Sequence, residues 1–471
     1  MKQSFYITTT LPYVNAAPHI GFALEIVAAD VIARYHRQLL DESVLFNTGT
    51  DEHGQKIKQQ AQAANLDPQL YCDQQVQKFK ELIPLLDLSV DHFLRTTDPQ
   101  HVAAAQKFWQ LCQNNGDIYK AQYPIKYCVG CEMAKTDSEL VNGHCPLHPH
   151  LTLEVREEEN YFFKFSRYQQ ALLDLYQQQP AFVQPDSRLK EIQSFVEAGL
   201  NDFSISRLKK NMSWGIPVPG DDEHVMYVWF DALVNYVSSL AWPEEIEQFQ
   251  TYWPAVQVAG KDNLRQQAAM WQAMLLSAGL TNSKKILING FIGVDGQKMS
   301  KSLGNVISPQ QLVDRYGVDA SRYLLIKLGA FAEDMDVSFD KLDIQYNAFL
   351  ANGLGNLCSR LAKMASDEQL SISYQAQLPA DFEKLMDSYQ VSEALNSLDE
   401  QLAQLDKYLA QTKPWLLQGE AKQQVLIPAI YKLLDVNLAL QIFMPSTSQS
   451  IQDKFLADQI SPFTSGLFSR I

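Results

Sequence analysis

Phe5-Tyr6-Ile7 and the threonines after it make a short apolar run over residues 4 to 10 that reads as a buried strand. The proline-bearing turn LPYVNAAPHIG comes next, and ALEIVAADVIARYHRQL then repeats apolar residues at helical spacing. SVLFNTGT at 43 to 50 leads into DEHGQKIKQQAQAA in the same way, and VQVAG and ILINGFIGV each precede a helical or glycine-bearing segment. Strands alternating with helices predict an α/β domain with a parallel sheet and ligands at the carboxyl ends of its strands. From about 116 to 228 a cysteine-bearing stretch and then a polar, irregular one break the pattern, before VMYVWFDALVNYVSSL restores it. Beyond about 342 the apolar residues keep helical spacing with few strand signals, as in VSEALNSLDEQLAQLDKYLAQT. The expected division is a split Rossmann-like domain (1–115 and 229–325), an insertion (116–228), a linker (326–342) and a helical bundle (343–471).

Length and composition agree with several globular domains: 471 residues, 46% hydrophobic and 20% charged. No apolar run approaches the ~18 residues of a membrane span, and MKQSFYITTTLPYV lacks the basic start and apolar block of a signal peptide, so a soluble, cytoplasmic monomer is expected. The formal charge of -15 means that any polyanion would have to be met by local basic patches.

Three motifs carry chemistry. Pro18-His19-Ile20-Gly21 lies between a strand and a helix, where loop amides, an imidazole and a glycine suit phosphate oxygens. Lys298-Met299-Ser300-Lys301-Ser302 lies between glycines and places two lysines three residues apart on a cationic loop, suited to the charge that spreads over a triphosphate under attack. Cys128-x2-Cys131-x13-Cys145-x2-His148 has the paired spacing of a tetrahedral, structural zinc knuckle; His144 and His150 are near, but only His148 repeats the x2 spacing.

In this order the first two motifs resemble those of class I aminoacyl-tRNA synthetases. With the third, and with FNTGTDEHGQKI, EEENYFFKFSRYQ, SWGIPVPG, YVWFDALVNY, FIGVDGQKMSKSLGN, NLCSR and TKPW, the chain resembles the methionyl-tRNA synthetase family in its single-knuckle form over essentially its whole length. The resemblance implies a ligase that uses ATP with Mg2+ to turn an amino-acid carboxylate into an aminoacyl adenylate, with one structural Zn2+. It implies His19, Lys298 and Lys301 as catalytic groups, with Pro18, Gly21, Gly260, Asp262, Met299, Ser300 and Ser302 also on ATP. Asp51 would hold the substrate ammonium, and Glu25, Leu11, Tyr13, Trp229, Ala232 and Tyr236 match the amino-acid site. The linker would be a stem-contact segment, and Asn356, Arg360 and Trp415 match anticodon-reading positions on the bundle.

The departures gather at the active site. The family's nucleotide motif normally ends in a second His, here Phe22, which removes a phosphate donor worth about 2 to 4 kcal/mol. An aliphatic, an aromatic and a His are usual where Asn263, Gln266 and Gln267 stand, and two amides at positions 263 and 267 predict a pocket more polar than a thioether requires. Residues 342–471 hold nine Lys and Arg against fourteen Asp and Glu, which disfavours tRNA. The expectation is therefore a paralogue that activates another amino acid for tRNA or a small-molecule acceptor. Similar domains in hydrazine synthetases couple an amino acid to a hydroxylated lysine beside a zinc cupin domain, which here would be a separate chain. The alternatives are a housekeeping methionine-tRNA ligase and an inactive RNA- or protein-binding homologue.

Overall fold

The computed structural model describes residues 2–471 except 129–132, 136–139, 147–148, 295 and 299–305. Its centre is a six-stranded, wholly parallel sheet of β1 (Ser4–Thr9), β2 (Ser43–Thr50), β3 (His92–Arg95), β4 (Val183–Gln184), β5 (Val256–Gly260) and β6 (Lys285–Asn289), in the order β3-β2-β1-β5-β6-β4. Alternate residues of each strand feed opposite cores. Phe5, Ile7, Val256, Val258 and Leu287 join one hydrophobic cluster, and Tyr6, Ala255, Ala259, Ile286 and Ile288 the other. Burial on both faces explains why these strands read as continuous apolar runs.

The α/β core with a helical carboxyl-terminal region is the predicted architecture. One boundary differs. Val183–Gln184, inside the segment expected to be an insertion, pairs in parallel with β6 and forms an edge of the central sheet. A two-residue strand is too short to show any periodicity, so the sequence carries no trace of it. Elsewhere the segment holds the helices Gln169–Gln178 and Asp186–Glu197 and two antiparallel sheets, the larger dominated by the long pairing of Ile118–Cys128 with Glu154–Phe163. The expected linker is also woven in: Met335–Val337 pairs with Ile292–Val294, which pairs in turn with Gln297–Lys298.

The helix α1 (Ile20–Arg34) is buried along almost its whole length, because the sheet covers one side and the helix Val318–Gly329 and the bundle cover the other. Such a helix is apolar nearly all round, and its two buried acids, Glu25 near its start and Asp30 near its end, need partners. Asp30 accepts from Arg34 at 2.7 Å and from the Ser89 backbone N–H and hydroxyl, and pairs with Arg322 at 2.7 Å. Arg322, equally buried, also donates to the carbonyls of Leu86, Ile442 and Phe443. One guanidinium thus fastens α1 to the bundle.

Burial alone would raise the Asp30 pKa, but Arg322 and Arg34 outweigh it and hold the carboxyl below its usual range. The resulting stability is fully present above the pKa of an unfolded Asp, near 4, and is lost as pH falls through the lower folded value. Asp30→Asn should destabilise the protein by about 3 to 5 kcal/mol at neutral pH and flatten this acid limb, measured by urea unfolding between pH 3 and 7.

Candidate active site

Strand order reverses between β1 and β5, where open α/β sheets bind ligands in the crevice at the strands' carboxyl ends, and Leu11, Tyr13, Asp51 and Gly260 lie at or just beyond the ends of β1, β2 and β5. The Thr10 N–H donates across this crevice to Val258 O at 3.1 Å. After β1, residues 11–14 run on alongside the end of β2 in the parallel sense: Tyr13 bridges Asp51, with Asp51 N donating to Pro12 O and Val14 N to Asp51 O. Tyr13 is thereby set beside Asp51, with Leu11 two residues before it. Gly54, at φ +112, makes room for the tyrosine, since an added Cβ would stand 2.6 Å from the Tyr13 hydroxyl.

His19 is the N-cap of α1, with its Nδ1 accepting the Gly21 N–H at 3.0 Å. That acceptance puts the imidazole proton on Nε2, a donor at the positive end of a 15-residue helix. Pro18 precedes it on the same turn. Phe22 faces inward, with its ring edge-on to Phe79 and centroids 6.0 Å apart, so position 22 serves the core. The Ile20 N–H donates to Ile307 O, which seats the exit of the lysine loop on the start of this helix. Lys298 ends the strand Gln297–Lys298, while Met299, Ser300, Lys301 and Ser302 lie outside the described residues.

Asp51 is buried, and its Oδ1 has no hydrogen-bond partner among the described residues. Burial, and then the nearby Asp231 carboxylate, raise its pKa well above the usual range. The neighbouring acids differ. Glu52 is held by Arg95 through both oxygens at 2.8 Å, and Glu25 accepts the Thr10 N–H and hydroxyl while burial pushes its pKa up to about 8. Asp231 lies between His53 at 2.7 Å and His101 at 2.8 Å. His101 in turn meets Ser238 at 2.9 Å. Burial opposes ionisation of Asp231, yet the two imidazoles prevail and lower its pKa. An orphan buried carboxylate among satisfied ones is a seat for a cation. His53, His101 and Asp231 were not singled out from sequence, although DEHG and WFDA carry two of the three.

The side-chain wall corrects the expected polarity. Gln267 lies on a widened, π-type turn (Gln266–Met270) and is buried. Its Oε1 accepts from Gln257 at 3.1 Å and its Nε2 donates to the Tyr236 hydroxyl at 2.6 Å. The amide expected to line an open polar pocket is therefore largely satisfied within the protein. The buried oxygen without a partner belongs instead to Gln266. Trp229 is half-buried and Ala232 buried on the helix Val228–Leu233 that also carries Asp231. Gln257 was overlooked, though an amide inside the apolar run VQVAG is itself a signal. Asn263 sits half-buried at the end of the one-turn helix Lys261–Asn263 that follows Gly260, with Asp262 exposed beside it.

Two further groups lie away from the crevice. Cys128 ends the strand Ile118–Cys128 and pairs in register with Met133, and Cys145 follows the Val141 to His144 bridge. Both are fully buried. Cys131 and His148 lie outside the described residues, and among those described no group of three or more metal-binding side chains occurs. On the bundle, Asn356 is exposed one turn before Arg360, whose guanidinium pairs with Asp406 at 2.6 Å and lies 5.8 Å from the ring of Trp415, itself 50% exposed. The structure brings these three to one face.

A parallel sheet whose switch point holds an imidazole-capped helix start and a buried carboxylate oxygen with no partner among the described residues is the arrangement of an α/β enzyme that binds its ligands at the strand ends. A family model described as tRNA synthetases class I (M) matches residues 5–152 and 149–362. The methionine-tRNA ligase of Thermosynechococcus vestitus is 50% identical over 371 residues, covering 78% of this chain and 70% of that one. The methionine-tRNA ligase of Thermotoga maritima is 40% identical over 475 residues, covering 95% and 74%. Among solved structures, Mycobacterium tuberculosis methionyl-tRNA synthetase in complex with methionyl-adenylate superposes with a TM-score of 0.86 at 34% identity, covering 99% of this chain and 100% of that one. The chain belongs to the methionyl family of class I tRNA synthetases, and it is a ligase of the aminoacyl-tRNA synthetase type. No described helix is long and apolar enough to cross a membrane.

Removing the Asp51 charge should raise the amino-acid KM in pyrophosphate exchange. A charge-assisted hydrogen bond contributes about 1.5 to 3 kcal/mol, so Asp51→Asn should shift it about 10- to 100-fold. Because the free enzyme's Asp51 titrates above the usual carboxylate range and must be ionised to hold an ammonium, kcat/KM for the amino acid should rise with pH along that limb. The limb should be missing from Asp51→Asn.

Proposed function

We propose that the protein is a methionine-tRNA ligase, activating methionine with ATP and transferring it to tRNA. The observation that carries this reading over a paralogue with a polar substrate is the pairing of Gln267 with Gln257 and Tyr236, which engages both ends of that amide within the protein. The relatives, named for methionine and similar over most of the chain, support it. No observation favours a cupin-type partner or an inactive homologue.

In this reading Asp51 holds the ammonium while the substrate carboxylate attacks the α-phosphorus, forming the acyl-phosphate bond and releasing pyrophosphate. His19 offers its Nε2 proton and the start of α1 its amides to the phosphates, with Pro18, Gly21, Gly260 and Asp262 around the nucleotide. Lys298 and Lys301 neutralise the departing charge, aided by Met299, Ser300 and Ser302 of their loop and by Mg2+ carried with ATP. Leu11, Tyr13, Trp229, Ala232, Tyr236, Asn263 and Gln267 surround the side chain, and Glu25 braces the turn through Thr10.

Asn356, Arg360 and Trp415 are proposed to read bases on tRNA, against the expectation from net charge. A count over the whole bundle averages out a local platform of guanidinium and indole, and that platform is what a splayed base meets. Zinc is proposed as a structural ion on Cys128, Cys131, Cys145 and His148, supported by the paired x2 spacing and by the burial of Cys128 and Cys145.

Methionine should support pyrophosphate exchange at a rate that falls about 10-fold or more in His19→Ala and in Lys298→Ala. Failure of methionine beside the other nineteen amino acids would refute the assignment. Trp415→Ala should lower tRNA charging while leaving pyrophosphate exchange unchanged. Elemental analysis should find one zinc per chain, reduced in Cys145→Ala.

A further inference from the structure

The amides behind Tyr236 form a chain with a fixed direction, and that direction begins at a backbone group. Ser283 N can only donate, and it donates to Gln272 Oε1 at 3.1 Å, as does Asn282 Nδ2 at 3.2 Å. Gln272 must therefore present Nε2 on its other side, where it donates to Ser283 Oγ at 3.1 Å and to Gln267 O at 2.8 Å. Having accepted there, the Ser283 hydroxyl donates its proton to Gln257 Oε1. Gln257 then donates to Gln267 Oε1, and Gln267 Nε2 donates to the Tyr236 hydroxyl. All five side chains are buried, at 0% to 2% exposure. None can reverse without setting oxygen against oxygen or nitrogen against nitrogen, which burial makes expensive.

We propose that Gln257 is a positioning residue for amino-acid selection: acting through Gln267, it obliges the Tyr236 hydroxyl to accept from the protein and so to donate its own proton to the side chain of the bound amino acid. This rests on the methionine reading above. A thioether sulfur is a weak acceptor, whereas a methylene in its place accepts nothing. The chain therefore favours methionine over an apolar side chain of equal length, a distinction that shape alone makes poorly.

The test compares methionine with norleucine, in which CH2 replaces the sulfur, in pyrophosphate exchange by the full chain. In Gln257→Met, whose side chain has similar volume but no donor, Gln267 is released from its single orientation. The methionine KM should rise about 3- to 10-fold, the size of one weak hydrogen bond, with kcat nearly unchanged and norleucine unaffected. Tyr236→Phe should collapse the same preference, and adding Gln257→Met to it should change the preference no further. Ser283→Ala, a smaller change one link upstream, should move the preference in the same direction and serves if Gln257→Met does not fold. Equal losses for both substrates would make Gln257 a purely structural residue and overturn the proposal. An unchanged preference in every folded variant would do the same, placing the Tyr236 proton on the buried Asn235 Oδ1, which has no partner among the described residues. A wild type that fails to activate methionine would overturn the methionine reading and this inference together, which separates that outcome from the other two.

Discussion

A carboxylate sealed from water has to be neutralised by the protein itself, and in this fold the carboxylate of Asp30 ties the two ends of the molecule together. It sits on α1, whose first turn presents His19 at the sheet's switch point. Its counter-ion, Arg322, spends its remaining donors on carbonyls of Leu86, Ile442 and Phe443. A buried guanidinium tolerates little change in the position of its acceptors. The helix that forms the phosphate end of the site is thereby held to the bundle that carries Arg360 and Trp415. The proposed adenylate site and the proposed RNA-facing platform share one rigid element.

The same rule marks the site. Glu25, Glu52, Asp51 and Asp231 are all buried near the strand ends, and three of them are satisfied from within by threonines, an arginine or a pair of histidines. Asp51 alone of the four keeps a buried oxygen without a partner. The contrast between these carboxylates, more than any one of them, distinguishes a place for a ligand from the polar scaffolding around it. A few ångströms of scaffold also decide what the side-chain wall offers, since an amide means one thing when open to a pocket and another when both its ends are engaged.

The sequence by itself determined the class of fold. Continuous apolar strands alternating with helices can be buried only in a parallel sheet covered on both faces, and short motifs such as Pro18 to Gly21 act through local backbone geometry that travels with the residues. Relatedness to the methionyl family was also legible, because its motifs are local in sequence. The edge strand Val183–Gln184 and the weaving of Met335–Val337 into the lysine hairpin were not, since their pairing is long-range and too short to leave a periodic pattern.

Tertiary structure decided the polarity of the pocket. In sequence Gln267 is an amide where an imidazole is usual; in the fold its partners come from β5 and from the segment around Tyr236, 10 and 31 residues away. Net charge is blind to local chemistry for a related reason. It sums over a whole domain, while the pairing of Arg360 with Trp415 depends on which two side chains the bundle brings within 5.8 Å. Residue type states what a group can donate or accept, and only the packed neighbours determine whether that capacity is already used.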